Sequence, residues 1–226
     1  MLITLPELLP PEALAPCRAT LETASWMAGQ ATAGHVAAQV KANRQLPLDS
    51  PAGRQLGTLV LAALGRSALF QSATLPAHIL PPRFNRYEVG EHYGFHIDNA
   101  IFQSSTAQQR VRADVSTTIF LSDPDTYEGG ELIIQDTYGE HRVKLPAGHA
   151  IVYPATSLHR VAPVTAGVRY AAFFWTQSLI RDDSRRSLLL EQDLAIQKLI
   201  QQHADPAAIA QLTGVYHNLV RCWADV

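Results

Sequence analysis

Arg86-Tyr-Glu-Val-Gly-Glu-His-Tyr-Gly-Phe-His-Ile-Asp98 is the stretch around which the chain is organised. His96 and Asp98 are separated by one residue. In a β-strand, side chains two apart point to the same face, so an imidazole and a carboxylate stand side by side. Ile97 then points the other way, into apolar packing. One strand cannot supply a third ligand facing these two, so a distant residue must return across the fold. His159, in Tyr153-Pro-Ala-Thr-Ser-Leu-His-Arg-Val161, is the best placed. The rival is His92, whose offset of four from His96 keeps it on the same strand face.

Two imidazoles and one carboxylate on one side of a metal leave the opposite side open, the arrangement of non-haem Fe(II) oxygenases. A fourth residue strengthens that reading. Along 168–177, alternation puts Arg169, Ala171, Phe173 and Trp175 on one face. An Arg heading an otherwise apolar face is costly to bury unless a carboxylate meets it. Ala171 leaves room for that anion, and a dicarboxylate such as 2-oxoglutarate fits. One end would chelate the metal while the other pairs with Arg169. Trp175 is expected in the core, with a cavity wall as its second possibility.

Outward from these residues, the pattern is a block of short strands between helices. Segments of apolar and β-branched residues bounded by Gly, Pro or Asp run from 75 to 178. They are 77–80, 84–89, 92–98, 115–121, 131–135, 140–145, 150–153, 158–161 and 168–177. Strands at this spacing predict a mainly β protein with flanking helices, its core a double-stranded β-helix, or jelly roll. The division expected is 1–74, an N-terminal helical buttress; 75–178, the jelly-roll domain; and 179–226, a C-terminal helical hairpin.

Before the strands, 11–26 reads as an amphipathic helix, and Ser50-Pro51 starts another running to about Phe70. Between them, Gly34 and the polar 41–45 indicate a turn and a loop or strand. After the strands, 184–203 carries helical spacing, Asp205-Pro206 caps a final helix, and 181–186 is a solvated helix start. Gly129-Gly130 reads as a hairpin turn. Phe95, Ile101, Phe102 and the polar loop 103–112 lie where a specificity-setting lid would sit.

Composition excludes several classes. The 226 residues are 47% hydrophobic and 17% charged, with a net charge of −2 and no basic cluster, so nucleic acid and anionic membrane are not expected partners. No uncharged apolar run reaches the ~20 residues of a membrane span, and 1–11 lacks the basic region of a signal peptide. Cys17 and Cys222 have neither metal nor disulfide-framework spacing, as expected of thiols in a cytoplasmic protein. The apolar face of the C-terminal hairpin makes it the expected surface for any homo-oligomer.

The ordered set of motifs resembles the Fe(II)/2-oxoglutarate dioxygenases of the prolyl-hydroxylase type, and among them the bacterial PKHD-type hydroxylases associated with iron uptake. It comprises Arg86-Tyr87…Gly90…Tyr93…His96-x-Asp98, Glu128-Gly-Gly-Glu-Leu132, Leu158-His-Arg-Val161…Pro163-Val-Thr165…Gly167-x-Arg169-Tyr170, Phe174-Trp-x-Gln-Ser178, Ile180-Arg-Asp182 and Leu212-Thr-Gly-Val-Tyr-His-Asn-Leu219. The resemblance implies His96, Asp98 and His159 as Fe(II) ligands, Arg169 as the 2-oxoglutarate anchor and Tyr87 as a further contact to that cosubstrate. A second tyrosine position of the group falls on Phe120 here. Also implied are O2 as cosubstrate, L-ascorbate as reductant, and hydroxylation of a protein side chain or a small iron-uptake molecule with release of succinate and CO2.

The residues alone leave three alternatives: a cupin-like isomerase or metal-storage protein with no 2-oxoglutarate dependence, a zinc hydrolase, and a non-catalytic binding module.

Overall fold

The computed structural model describes residues 1–32, 39–103 and 110–226. Two antiparallel sheets face each other. The larger runs in the order Ile3–Leu5, Ala150–Pro154, Val115–Phe120, Arg169–Ser178, Arg83–Tyr87, Arg44–Gln45 and Met27–Ala28, with Pro76–Ile79 also paired to Arg169–Ser178. The smaller runs Gly139–Val143, Leu132–Asp136, Leu158–Val161, His92–His96 and Lys41–Ala42. This is the expected jelly roll.

Alternation decides which side of the larger sheet each residue serves. On Arg169–Ser178, Tyr170, Ala172 and Phe174 join Phe84, Val115 and Ile119 in a core cluster beneath the helices. Their neighbours turn inward, where Tyr87, Phe120, Ile151 and Tyr153 meet Leu132, Ile134 and Val161 of the smaller sheet. That second core is the space between the sheets, and the site opens from it.

The helices cover the outer face. Pro51–Arg66 starts at Ser50, whose hydroxyl accepts from Gly53 N at 3.0 Å, and it buries Leu56, Val60, Ala63 and Leu64 on one stripe. Each of its larger side chains contributes about 1.5–3 kcal/mol of burial. The expected continuation to Phe70 is interrupted. Ser67 ends this helix and caps the next, Ala68–Thr74, by accepting from Phe70 N at 3.2 Å. Pro11–Thr23 and the hairpin Asp183–Gln201 and Pro206–Trp223 complete the flanks, the last two capped by Asp182 and Asp205.

Three details differ from the sequence reading. The first 74 residues add strands Ile3–Leu5 and Met27–Ala28 where none was expected, beside Lys41–Ala42 and Arg44–Gln45, where 41–45 was read as a loop or strand. These segments of two or three residues are too short to carry a period. The helix start at 181–186 is not wholly solvated: Arg186 is 1% exposed, its guanidinium held by the carbonyls of Ile180 and Arg181 and by Asp183. The pair Gly129-Gly130 is no hairpin turn. Strand Tyr127–Gly129 pairs with Val164–Gly167, and the chain then bends through two positive-φ glycines into Leu132–Asp136. Gly34 lies outside the described residues.

Candidate active site

The strand His92–His96 stops one residue after Phe95, so Asp98 stands just beyond its end rather than on it. Its carboxylate still reaches the imidazoles. His96 Nε2 and His159 Nε2 each lie 3.9 Å from Asp98 Oδ1, and one donor atom from each residue falls within 4.8 Å of the others. His159 comes from the neighbouring strand Leu158–Val161, directly opposite His96 in register. Ile97 is not in apolar packing. With the strand ended, it sits 56% exposed at the cavity rim.

Each of the three donors is held by a second contact. His96 Nδ1 lies 2.8 Å from Gly94 O and His159 Nδ1 lies 3.0 Å from Ser157 O. Donation from Nδ1–H to a carbonyl fixes the tautomer and leaves the Nε2 lone pair free for a metal. Burial, and then the adjacent His159, push the His96 pKa down to about 4, so its ring is neutral at pH 7. Ser116 Oγ donates to Asp98 Oδ2 at 2.5 Å, which leaves Oδ1 directed at the imidazoles. Removing that hydroxyl in Ser116→Ala should weaken metal binding about 10–100-fold, the usual effect of losing an outer partner. Calorimetric titration with Fe(II) checks it.

A β-bulge settles the rivalry between histidines. His159 pairs with His96, but Val161 pairs with Tyr93, so three steps on one strand match two on the other. The extra residue reverses the alternation. Tyr93 therefore joins His96 on the cavity side, their rings stacked with centroids 3.6 Å apart, while His92 turns outward to Gly90 O. Gly94 sits inside the bulge, where a Cβ would lie 2.8 Å from Val40 Cβ.

At the far end of the same cavity, Arg169 is 1% exposed. Its Nε and Nη1 have no hydrogen-bond partner, and no carboxylate among the described residues lies within ion-pair distance. Tyr87, its direct cross-strand neighbour, and Phe120 hold their rings 5.3 Å from the guanidinium carbon. Burial pushes the Tyr87 phenol up to about 12, so it remains a donor at neutral pH. Gly130 also serves this end, since an added Cβ would come within 3.1 Å of Arg169 Cδ at a φ of +66°. Gly130→Ala should displace the guanidinium and cost about 1–3 kcal/mol of folding stability, which a urea titration measures.

With the geometry in place, comparisons with known proteins are decisive. Residues 82–177 match the 2OG-Fe(II) oxygenase superfamily and 183–225 the PKHD-type hydroxylase C-terminal domain. A PKHD-type hydroxylase of Delftia acidovorans is 58% identical over 224 residues, 99% of each chain, and one of Bordetella pertussis is 56% identical over the whole of both. The chain belongs to the PKHD-type hydroxylases. Its fold is shared with a Pseudomonas putida prolyl-4-hydroxylase (20% identity, TM-score 0.52, covering 78% of this chain and 92% of that one). A Trichoplax adhaerens prolyl hydroxylase is similar too (16%, TM-score 0.56, covering 83% and 86%).

This PKHD-type hydroxylase is thus an Fe(II)- and 2-oxoglutarate-dependent dioxygenase that uses O2, with ascorbate as the typical additional reductant. The donor set fits Fe(II): two imidazole nitrogens and one carboxylate oxygen on one side, with the cavity on the other. The buried Arg169, with no carboxylate beside it among the described residues, fits the cosubstrate's far carboxylate.

Several residues of the site have no mark in the motifs. Ser116 and Thr118 are hydroxyl residues on a strand buried on both faces, a pattern that asks for polar partners. Tyr153 packs edge-on against His159, centroids 5.2 Å apart. Trp175 proves to be both core and wall, stacked on Phe102 at 4.1 Å. Phe95 does not line the cavity; Arg160 lies over its ring on the outer face of the smaller sheet. Ile101 and Phe102 start a hairpin with Arg110–Arg112, and residues 104–109 of the expected lid lie outside the described residues.

Proposed function

We propose that His96, Asp98 and His159 hold Fe(II), that Arg169 and Tyr87 hold 2-oxoglutarate, and that the enzyme hydroxylates an unactivated C–H of a substrate entering past Trp175. The single observation that carries this reading is Arg169, a buried cation with no carboxylate of its own among the described residues, at the end of a cavity that also holds a preorganised two-histidine, one-carboxylate set. When bound, Fe(II) supplies O2 activation coupled to oxidative decarboxylation of 2-oxoglutarate to succinate and CO2.

The chain's own residues supply placement. The Gly94 and Ser157 carbonyls orient the imidazoles, Ser116 orients Asp98, and Leu132 and Val161 on the cavity wall keep water from the reacting centre. Asp98 occupies a position that a small residue would open to halide, which favours hydroxylation. The substrate is either a protein side chain or a small molecule connected with iron uptake. Its oxidation is tested by the full-length protein with Fe(II), 2-oxoglutarate and ascorbate. Succinate should form in air and not under argon; oxygen-independent turnover of any kind returns the cupin-like or zinc-hydrolase readings.

The same reading divides the chain at about 74 and 178, with the jelly roll between. It places the enzyme in the cytoplasm on the strength of two free thiols, Cys17 and Cys222. Among the described residues, no single helix is long and apolar enough to cross a membrane. Self-association is assigned to the C-terminal hairpin, where Leu188, Leu194 and Val215 are exposed; a monomer by light scattering overturns that assignment.

A further inference from the structure

The cavity has a second cationic end. On the strand Arg83–Tyr87, Arg83, Asn85 and Tyr87 face the cavity while Phe84 turns into the helix-side core. Tyr87 stands opposite Arg169 and Arg83 opposite Phe173. The two arginines therefore lie four rows apart, ~13 Å along the strands. Their heads sit over different groups. Arg169 lies over Tyr87 and Phe120, whereas the Arg83 guanidinium carbon is 5.9 Å from the Trp175 ring, two residues further from Arg169 than Phe173. One small dicarboxylate held at Arg169 leaves Arg83 unused.

Arg83 is half-buried, and no carboxylate among the described residues lies within ion-pair distance of it. Beside it is Lys41, 4% exposed, with its ammonium 5.1 Å from the Tyr93 ring. Burial and then Arg83 push the Lys41 pKa down to about 8, against the pull of Asp98, so the two cations act on each other. A half-buried guanidinium with no carboxylate beside it is unfavourable unless an anion joins it. Among the described residues lining the cavity, Asp98 is the one carboxylate. A divalent ion, Asp98, the 2-oxoglutarate dianion and Arg169 cancel in charge, which leaves the Arg83 end positive in the loaded enzyme.

We propose that Arg83, backed by Lys41, binds the carboxylate of a small organic substrate whose carbon skeleton lies against Trp175 and Phe102. This rests on the assignment of Arg169 to the cosubstrate and names the substrate class for the same site. The wall is suited to a flat or branched skeleton: Phe102 and Trp175 are stacked at 25°, and Phe173 meets Trp175 edge-on at 88°. A half-buried cation on an enclosed cavity wall, as Arg83 is, is reached by a small anion more readily than by the surface of a folded partner. The substrate's charge would thus fix which C–H faces the metal, making Arg83 a substrate-positioning residue.

The test is calorimetric titration of the full-length, Fe(II)- and 2-oxoglutarate-loaded protein under argon with benzoate and with benzamide, its neutral isostere. Benzoate should bind saturably and benzamide about tenfold or more weaker, given what a charge-assisted hydrogen bond contributes. Arg83→Gln should abolish that preference while binding 2-oxoglutarate as the parent does, which also shows that the variant is folded. Equal binding of the two probes, or a preference that survives Arg83→Gln, overturns the proposal. So does competition between benzoate and 2-oxoglutarate, which would place benzoate at Arg169. Binding of a glutamate-containing peptide without binding of benzoate would assign the end to a protein substrate and overturn the small-molecule class. If the parent fails to bind 2-oxoglutarate at all, the cosubstrate reading fails separately, and the two probes titrated into the Fe(II)-only protein still decide the role of Arg83.

Discussion

His159→Ala is expected to remove Fe(II) from the site. The imidazole is the donor that closes the set from a second strand; without it, His96 and Asp98 face the metal from one short stretch of chain. Loss of a supporting outer contact already costs 10–100-fold in affinity, so loss of the ligand itself should cost about 100-fold or more. The apoprotein should lose about 2–4 kcal/mol of stability, from the hydrogen bond to Ser157 O and the packing of a buried ring against His96 and Tyr153. Fe(II) titration together with an unfolding curve separates the two effects. His92→Ala is the control, since the bulge turns that ring outward, and it should bind metal as the parent does. Parent-like affinity in His159→Ala would remove the residue from the metal site.

Arg169→Met is expected to act in opposite directions on two readouts. The guanidinium is buried with Nε and Nη1 unpaired, so its replacement by an apolar chain of similar length should make the ligand-free protein more stable, by about 1–4 kcal/mol. The same change removes the counter-charge for the cosubstrate's far carboxylate. Binding of 2-oxoglutarate should fall by about 3 kcal/mol, roughly 150-fold, with Fe(II) binding unchanged. A denaturant curve of the apoprotein and a 2-oxoglutarate titration of the Fe(II) form check the pair. A variant that is destabilised and binds 2-oxoglutarate normally would mark Arg169 as a structural residue.

What the sequence made legible was set by period and by chemistry. Alternation along 168–177 placed Arg169 and Trp175 on the inner face, and the hydroxyl-rich, fully buried strand Val115–Phe120 was found as a strand. The ordered residues His96, Asp98, His159 and Arg169 were legible because few other arrangements need them together. The bulge between Tyr93 and His96 was not. It depends on pairing with Leu158–Val161, and its local trace is a lone glycine, Gly94. That one inserted residue reversed the expected facing of His92 and brought Tyr93 into the cavity. Ile97 was misplaced for a related reason: strand ends are fixed by partners, and the strand here ends at His96. Phe95, inside that strand, faces away from His96 by ordinary alternation. The groups that orient the ligands, Ser116 and the carbonyls of Gly94 and Ser157, are set by register between strands far apart in the chain. The same is true of Arg83 and Lys41, which meet only because the edge strand Lys41–Ala42 joins the smaller sheet while Arg83 lies in the larger.

The central claim is that one cavity takes Fe(II) at the two histidines and Asp98 and a 2-oxoglutarate chelate reaching to Arg169. Anaerobic titration of the Fe(II)-loaded protein with 2-oxoglutarate, followed by visible absorption, tests it most directly. A saturable charge-transfer band should grow in for the parent, fail to form in His159→Ala, and require far higher 2-oxoglutarate in Arg169→Met. Bound Fe(II) with no band at any 2-oxoglutarate concentration, or a band indifferent to both substitutions, would contradict the account.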